Sequence, residues 1–114
     1  DVSSRIEHVV SISGLHDLRP LMRTRMNQTL RLDAAEAAAE SAALLQPVER
    51  CSLTCWVGSK ERPEFVRQND LLAHIWTGLG AATRSVHASG RHHFDVIDGL
   101  ADPDHPLTRT LLSP

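Results

Sequence analysis

Two rhythms of apolar and polar positions alternate along this chain. Residues 6–13, Ile-Glu-His-Val-Val-Ser-Ile-Ser, form a β-branched run that ends at Gly14. That pattern predicts a fairly buried strand. Residues 51–57, Cys-Ser-Leu-Thr-Cys-Trp-Val, predict a second strand stopped at Gly58. Residues 83–88 predict a third, weaker one. Between the second and third, Phe65, Val66, Leu71, Leu72, Ile75, Trp76 and Leu79 recur at spacings of three and four. They mark one face of a helix over 63–79. Pro63 suits its first turn and Gly80 its stop.

The other intervals are helical or turn-like. Gly14 breaks the first strand, and Pro20 biases Arg19 away from helix, so 14–20 reads as a loop. Pro20 can open a short helix running to about Met26. Residues 34–45 are dominated by alanine and glutamate, which predicts a helix. Asp33 is its N-cap and Glu36 a capping-box partner. Pro47 ends that region. After the third strand, 90–93 reads as a loop and 94–100 as a short helix with Phe94, Ile97 and Leu100 on one side. Pro103 and Pro106 punctuate the end, and 107–112 forms a last helix.

Strands alternating with helices predict an α/β fold with three parallel strands and flanking helices. One domain accounts for 1–114, with a helical, cap-like insertion at about 18–46. Three strands are few for a parallel sheet, which needs both faces covered. The first strand would also leave a bare apolar edge. More sheet is therefore expected, from residues before Asp1 or from a partner chain.

Composition narrows the partners. The chain has 114 residues, 41% of them hydrophobic and 23% charged, with a net charge of −2. This is ordinary globular composition. A near-neutral chain has no charge attraction to nucleic acid or to an anionic membrane, so neither is expected as a partner. No apolar run approaches the ~20 residues of a membrane helix, and no secretory signal pattern opens the chain. A homo-oligomer is compatible with this composition. On one strand, Cys51 and Cys55 would stand ~13 Å apart, beyond the ~7 Å a disulfide allows. They read as unpaired, buried thiols in a reducing cytoplasm. Trp56 and Trp76 read as core.

In open parallel sheets, active groups collect on loops after the C-terminal ends of strands. Three such loops exist here. The first holds His16 and Asp17, which either face an active-site mouth or make a local turn. The second holds Ser59, Lys60, Glu61 and Arg62. The third holds Arg91, His92 and His93. A carboxylate on one loop and a histidine on the next share a rim of the sheet. There the acid can accept the imidazole Nδ1–H, leaving the other nitrogen to take a proton from a hydroxyl. The candidate acids are Glu61 and Glu64, and the candidate bases His92 and His93. Asp95 and Asp98 read as helix-start charges. His87, His92 and His93 match no zinc spacing, so no metal or cofactor is expected.

The sequence around these loops resembles the α/β-hydrolase superfamily, specifically the kynurenine formamidase (arylformamidase)-like esterases. Val10-Ser11-Ile12-Ser13-Gly14-Leu15-His16-Asp17-Leu18-Arg19-Pro20-Leu21 resembles the strand and loop entering that family's cap. Val57-Gly58-Ser59-Lys60-Glu61-Arg62-Pro63-Glu64-Phe65-Val66-Arg67-Gln68 resembles its acid loop and following helix. Gly90-Arg91-His92-His93-Phe94-Asp95-Val96-Ile97-Asp98-Gly99-Leu100 resembles its histidine loop, where the histidine precedes a phenylalanine. The resemblance implies Glu61 and His93 as two members of a Ser-His-acid triad. It implies a small ester or N-formyl amide substrate, with N-formylkynurenine one candidate. Animal members carry aspartate where this chain has Glu61. The family's nucleophile sits in a G-x-S-x-G elbow, and no serine here has glycine two before and two after it. The serine and the oxyanion-hole loop are therefore expected upstream of Asp1. The contrasting expectation is a non-catalytic half-hydrolase that binds a separate subunit.

Overall fold

Three β-branched or alternating runs become strands: β1 (His8–Ile12), β2 (Ser52–Gly58) and β3 (Ala82–Ala88). In the computed structural model, which describes residues 2–113, they form one parallel sheet in the order β1-β2-β3. The register pairs Val10 with Thr54 and Ser11 with Cys55, and on the other side Trp56 with Val86. β2 is central and almost wholly buried, as a parallel strand covered on both faces must be. β1 and β3 are the edges, and Val9 and Ile6 are 39% and 46% exposed.

Alternation along β2 builds two cores. Leu53 and Cys55 point to one face and pack with Leu72 and Ala73 of α3 (Pro63–Gly78) and with Ala43. Trp56 points to the other, against Val96 and Leu107, with Val10, Ile12 and Val86 around them. Leu107 belongs to α4 (Pro106–Leu112), whose Leu107 amide donates to His105 Nδ1 at 3.1 Å.

The expected α3 forms, opened by Pro63 and followed by Gly80 at φ +92°. Its buried face is not wholly apolar: Gln68 and Asn69 are almost completely buried. Burying such amides costs free energy unless they find partners. Asn69 Nδ2 donates to the Cys55 carbonyl at 3.1 Å and to Ser85 Oγ at 3.0 Å. Gln68 Oε1 accepts the amides of His16 and Asp17 at 2.9 and 2.8 Å, and its Nε2 donates to the Asp17 carbonyl at 2.8 Å. One side chain thus fixes the first loop to α3.

Two helix expectations are corrected. The helix expected over 34–45 stops early: α2 spans Ala34–Ala39 and a separate 3-10 turn covers Ala42–Leu44. Ser41 interrupts it, because its hydroxyl donates back to the Ala37 carbonyl at 2.5 Å and accepts the Leu18 amide at 2.8 Å. Serine competing for backbone groups in this way ends helices. Asp33 does cap α2, with Oδ1 accepting the Glu36 amide at 2.8 Å. The helix expected over 94–100 is instead a run of turns closed by a 3-10 turn at Asp98–Ala101. The short helix expected from Pro20 to about Met26 is present as a 3-10 turn at Arg19–Arg23 with Pro20 in its first turn, and the single-turn α1 (Asn27–Leu30) follows without a strong sequence signal.

Candidate active site

The acid loop is a tight turn made possible by Gly58. The Glu61 amide donates back to the Gly58 carbonyl at 3.1 Å. A Cβ on Gly58 would meet the Arg91 carbonyl oxygen at 2.2 Å, so only glycine lets β2 pass the histidine loop this closely. The two loops are then stitched together. Ser59 donates its amide to the Ala88 carbonyl at 2.9 Å, and Lys60 to the Arg91 carbonyl at 3.0 Å. The Gly90 amide donates to Ser59 Oγ at 2.8 Å.

This stitching brings Glu61 and His93 together across 32 residues: Nδ1 lies 2.7 Å from Oε1. The Glu61 side chain is 0% exposed and the His93 side chain 44%. An ionised carboxylate can only accept, so the Nδ1 proton makes the imidazole the donor. The second carboxylate oxygen is also occupied. Oε2 accepts the Ser13 hydroxyl at 2.6 Å and the Gly58 amide at 2.7 Å. Burial pushes the Glu61 pKa up, but the bonds from Ser13, Gly58 and His93 outweigh it and hold the group below its ordinary value. Glu61 is therefore a charged acceptor at neutral pH.

The imidazole is also held by rings. Phe65, in the first turn of α3, lies against it with centroids 4.6 Å apart. Phe94 meets it edge-on at 5.4 Å. Among the described residues, Nε2 has no hydrogen-bond partner, and it is the atom left for chemistry. Phe94 itself is 85% exposed.

The rival residues go elsewhere. His92 accepts the Phe94 amide on Nδ1 at 3.1 Å and turns Nε2 toward Asp95 at 3.4 Å. Glu64 pairs with Arg67 at 2.5 Å and with Gln68 Nε2 at 2.9 Å. Asp95 accepts the His92 amide at 2.7 Å, holding the histidine loop. His87 bonds Asp70 at 2.7 Å on the outer face of β3 and α3. No group of three or more His, Cys, Asp or Glu side chains converges as a metal site among the described residues.

Of the first loop's pair, Asp17 takes the local role: it accepts the Arg19 amide at 3.1 Å and pairs with its guanidinium at 2.9 Å. His16 is buried, with Nε2 3.2 Å from Ser11 Oγ. Burial pushes its pKa below the ordinary value. It lines an apolar groove of about 320 Å³ with Val9, Leu53, Leu72 and Trp76. Sequence reasoning did not single out Ser13, Phe65 or Gln68. Only Gln68 carried a signal, since it interrupts the apolar face of α3.

Comparison with known proteins agrees with this architecture. No protein-family model matches the chain. It is 28% identical to kynurenine formamidase of Danio rerio over 98% of its length, covering 40% of that protein. It is 27% identical to kynurenine formamidase of Salmo salar over 97% of its length, again covering 40%. The chain thus spans about 40% of the length of these curated relatives. A crystal structure from Silicibacter sp. TM1040, described as a candidate thioesterase, superposes with a TM-score of 0.90. It is 42% identical, and the match covers 98% of this chain and 41% of that one. The fold is an α/β arrangement shared with a portion of an esterase-type hydrolase, and the similarity is consistent with a fragment of a kynurenine formamidase-like hydrolase.

Proposed function

We propose that this chain carries the acid and the histidine of a serine-type hydrolase whose nucleophile lies in residues outside it. The observation that carries this reading is the Glu61–His93 bond of 2.7 Å, with the His93 side chain 44% exposed. In the complete enzyme a serine hydroxyl attacks an acyl carbonyl, and His93 Nε2 takes its proton. Glu61 keeps the imidazole in the tautomer with Nδ1–H and stabilises the cation that forms. Collapse of the tetrahedral species passes the proton to the leaving group. Water then repeats the sequence on the acyl-enzyme and regenerates the serine. Backbone N–H groups, at least one of them outside these residues, hold the oxyanion.

Esters, thioesters and N-formyl amides all present such a carbonyl. The relatives named kynurenine formamidase favour an aryl formamide, and the Silicibacter relative favours a thioester. The insertion between β1 and β2, mostly aliphatic and alanine, helps to form the acyl or aryl pocket. Further residues of the same protein complete the sheet on the open edge of β1, where Val9 and Ile6 lie uncovered. Two free thiols, Cys51 and Cys55, favour a reducing compartment such as the cytoplasm.

The test is hydrolysis by the full-length protein of p-nitrophenyl acetate, an acyl thioester and N-formylkynurenine, with and without a fluorophosphonate. The expected result is turnover of at least one substrate, abolished by a fluorophosphonate adduct on a serine outside these residues. Absence of both turnover and adduct would instead favour the non-catalytic module.

A further inference from the structure

Ser13 sits just past the end of β1 with φ +51°, in the left-handed region. Residues with a Cβ avoid that region, and glycine takes it freely. The other two described non-glycine residues there have local reasons: Arg31 ends α1, and Arg50 turns the chain into β2. Ser13 ends no helix. Its amide is spent on the Trp56 carbonyl at 2.8 Å, and its unusual conformation turns the hydroxyl across to β2. There it donates to Glu61 Oε2 at 2.6 Å. Strained backbone that aims one side chain at a functional group is a functional signal.

We infer that Ser13 is a positioning residue: its hydroxyl, with the Gly58 amide, anchors one oxygen of Glu61 so that the other faces His93. This rests on the hydrolase reading above. The same geometry excludes Ser13 as the nucleophile, because its hydroxyl is bound to the acid and not to Nε2. Without the hydroxyl, Oε2 keeps only the Gly58 amide, and the carboxylate is free to rotate about its last bond. Few groups facing Glu61 can substitute. From the histidine loop comes His93, from β2 the Gly58 amide, and from β1 only Ser13. Lys60 and Arg62 on its own loop are exposed.

The hydroxyl also helps to hold Glu61 in its charged form, below the ordinary carboxylate range.

The experiment is steady-state kinetics of full-length Ser13→Gly and Ser13→Ala, beside Glu61→Gln. Ser13→Gly relieves the backbone and removes the hydroxyl, so it separates the two roles. The expected result is a kcat about tenfold lower in both Ser13 variants with KM little changed, the scale of one charge-assisted hydrogen bond. If Ser13→Gly matches wild type in kcat while Glu61→Gln is inactive, the Ser13 role is wrong and the hydrolase reading stands. An active Glu61→Gln overturns both.

Discussion

Gly58 and Arg91 approach so closely that a methyl group on the first would sit 2.2 Å from the carbonyl oxygen of the second. The obstacle is backbone, not a flexible side-chain end, so it cannot swing away. Gly58→Ala therefore pushes the acid loop and the histidine loop apart, and with them Glu61 and His93. The expected cost is about 1–3 kcal/mol of stability, the range for overpacked positions. Turnover falls further than stability alone explains. Urea unfolding and kcat/KM on the same preparation check this, and a variant equal to wild type in both would show that the loops are not set by this contact.

Glu61→Gln keeps the shape of the acid but removes its charge. The amide can also present N–H toward Nδ1 and select the wrong tautomer. Loss of the equivalent charge in serine hydrolases costs about 10⁴ in turnover. The expected result here is a drop of that order with the fold intact by circular dichroism. A drop smaller than tenfold would contradict the acid role of Glu61.

His16 and Glu61 are among the groups whose folded pKa is depressed, and each ties stability to pH. For His16, burial lowers the pKa from its ordinary 6.5. Below that value the unfolded chain takes up a proton before the folded one, so stability is full above pH 6.5 and declines as pH falls. Glu61 adds a second decline below its ordinary 4.5, because the folded carboxylate stays ionised further down. The denaturation midpoint is therefore expected to be lower at about pH 5.5 than at about pH 7.5. His16→Gln should shrink that difference, and an unchanged difference would contradict the assignment.

The two thiols should react unequally. Cys55 is fully buried on β2, and burial pushes its pKa up to about 11. Cys51, just before β2, is only partly buried. Alkylation of the native protein by iodoacetamide should label Cys51 and leave Cys55 unmodified until unfolding, because the thiolate is the reactive form. Equal labelling, read by mass spectrometry, would mean that β2 opens readily.

How much of this could be read from the chain follows from what each residue depends on. The strands and α3 were legible because their apolar spacing and bounding Gly and Pro are local features. The acid–histidine pair was legible as a shared rim, since parallel topology places successive C-terminal loops together. Helix continuity past Ser41 was not, because the break depends on the Leu18 amide reaching it from another segment. Gln68 and Asn69 occupy positions on the α3 face where the period asks for apolar residues, so their burial left a trace in the pattern. Ser13 left none: its role depends on a backbone angle and on a partner 48 residues away.

In the proposed reaction the imidazole of His93, and not that of His92, performs the proton transfer. Measuring kcat/KM of the full-length protein as His93→Ala and as His92→Ala tests it most directly. The expected result is a loss of about 10⁴-fold or more for His93→Ala and near-wild-type turnover for His92→Ala. Near-normal turnover in His93→Ala would contradict it.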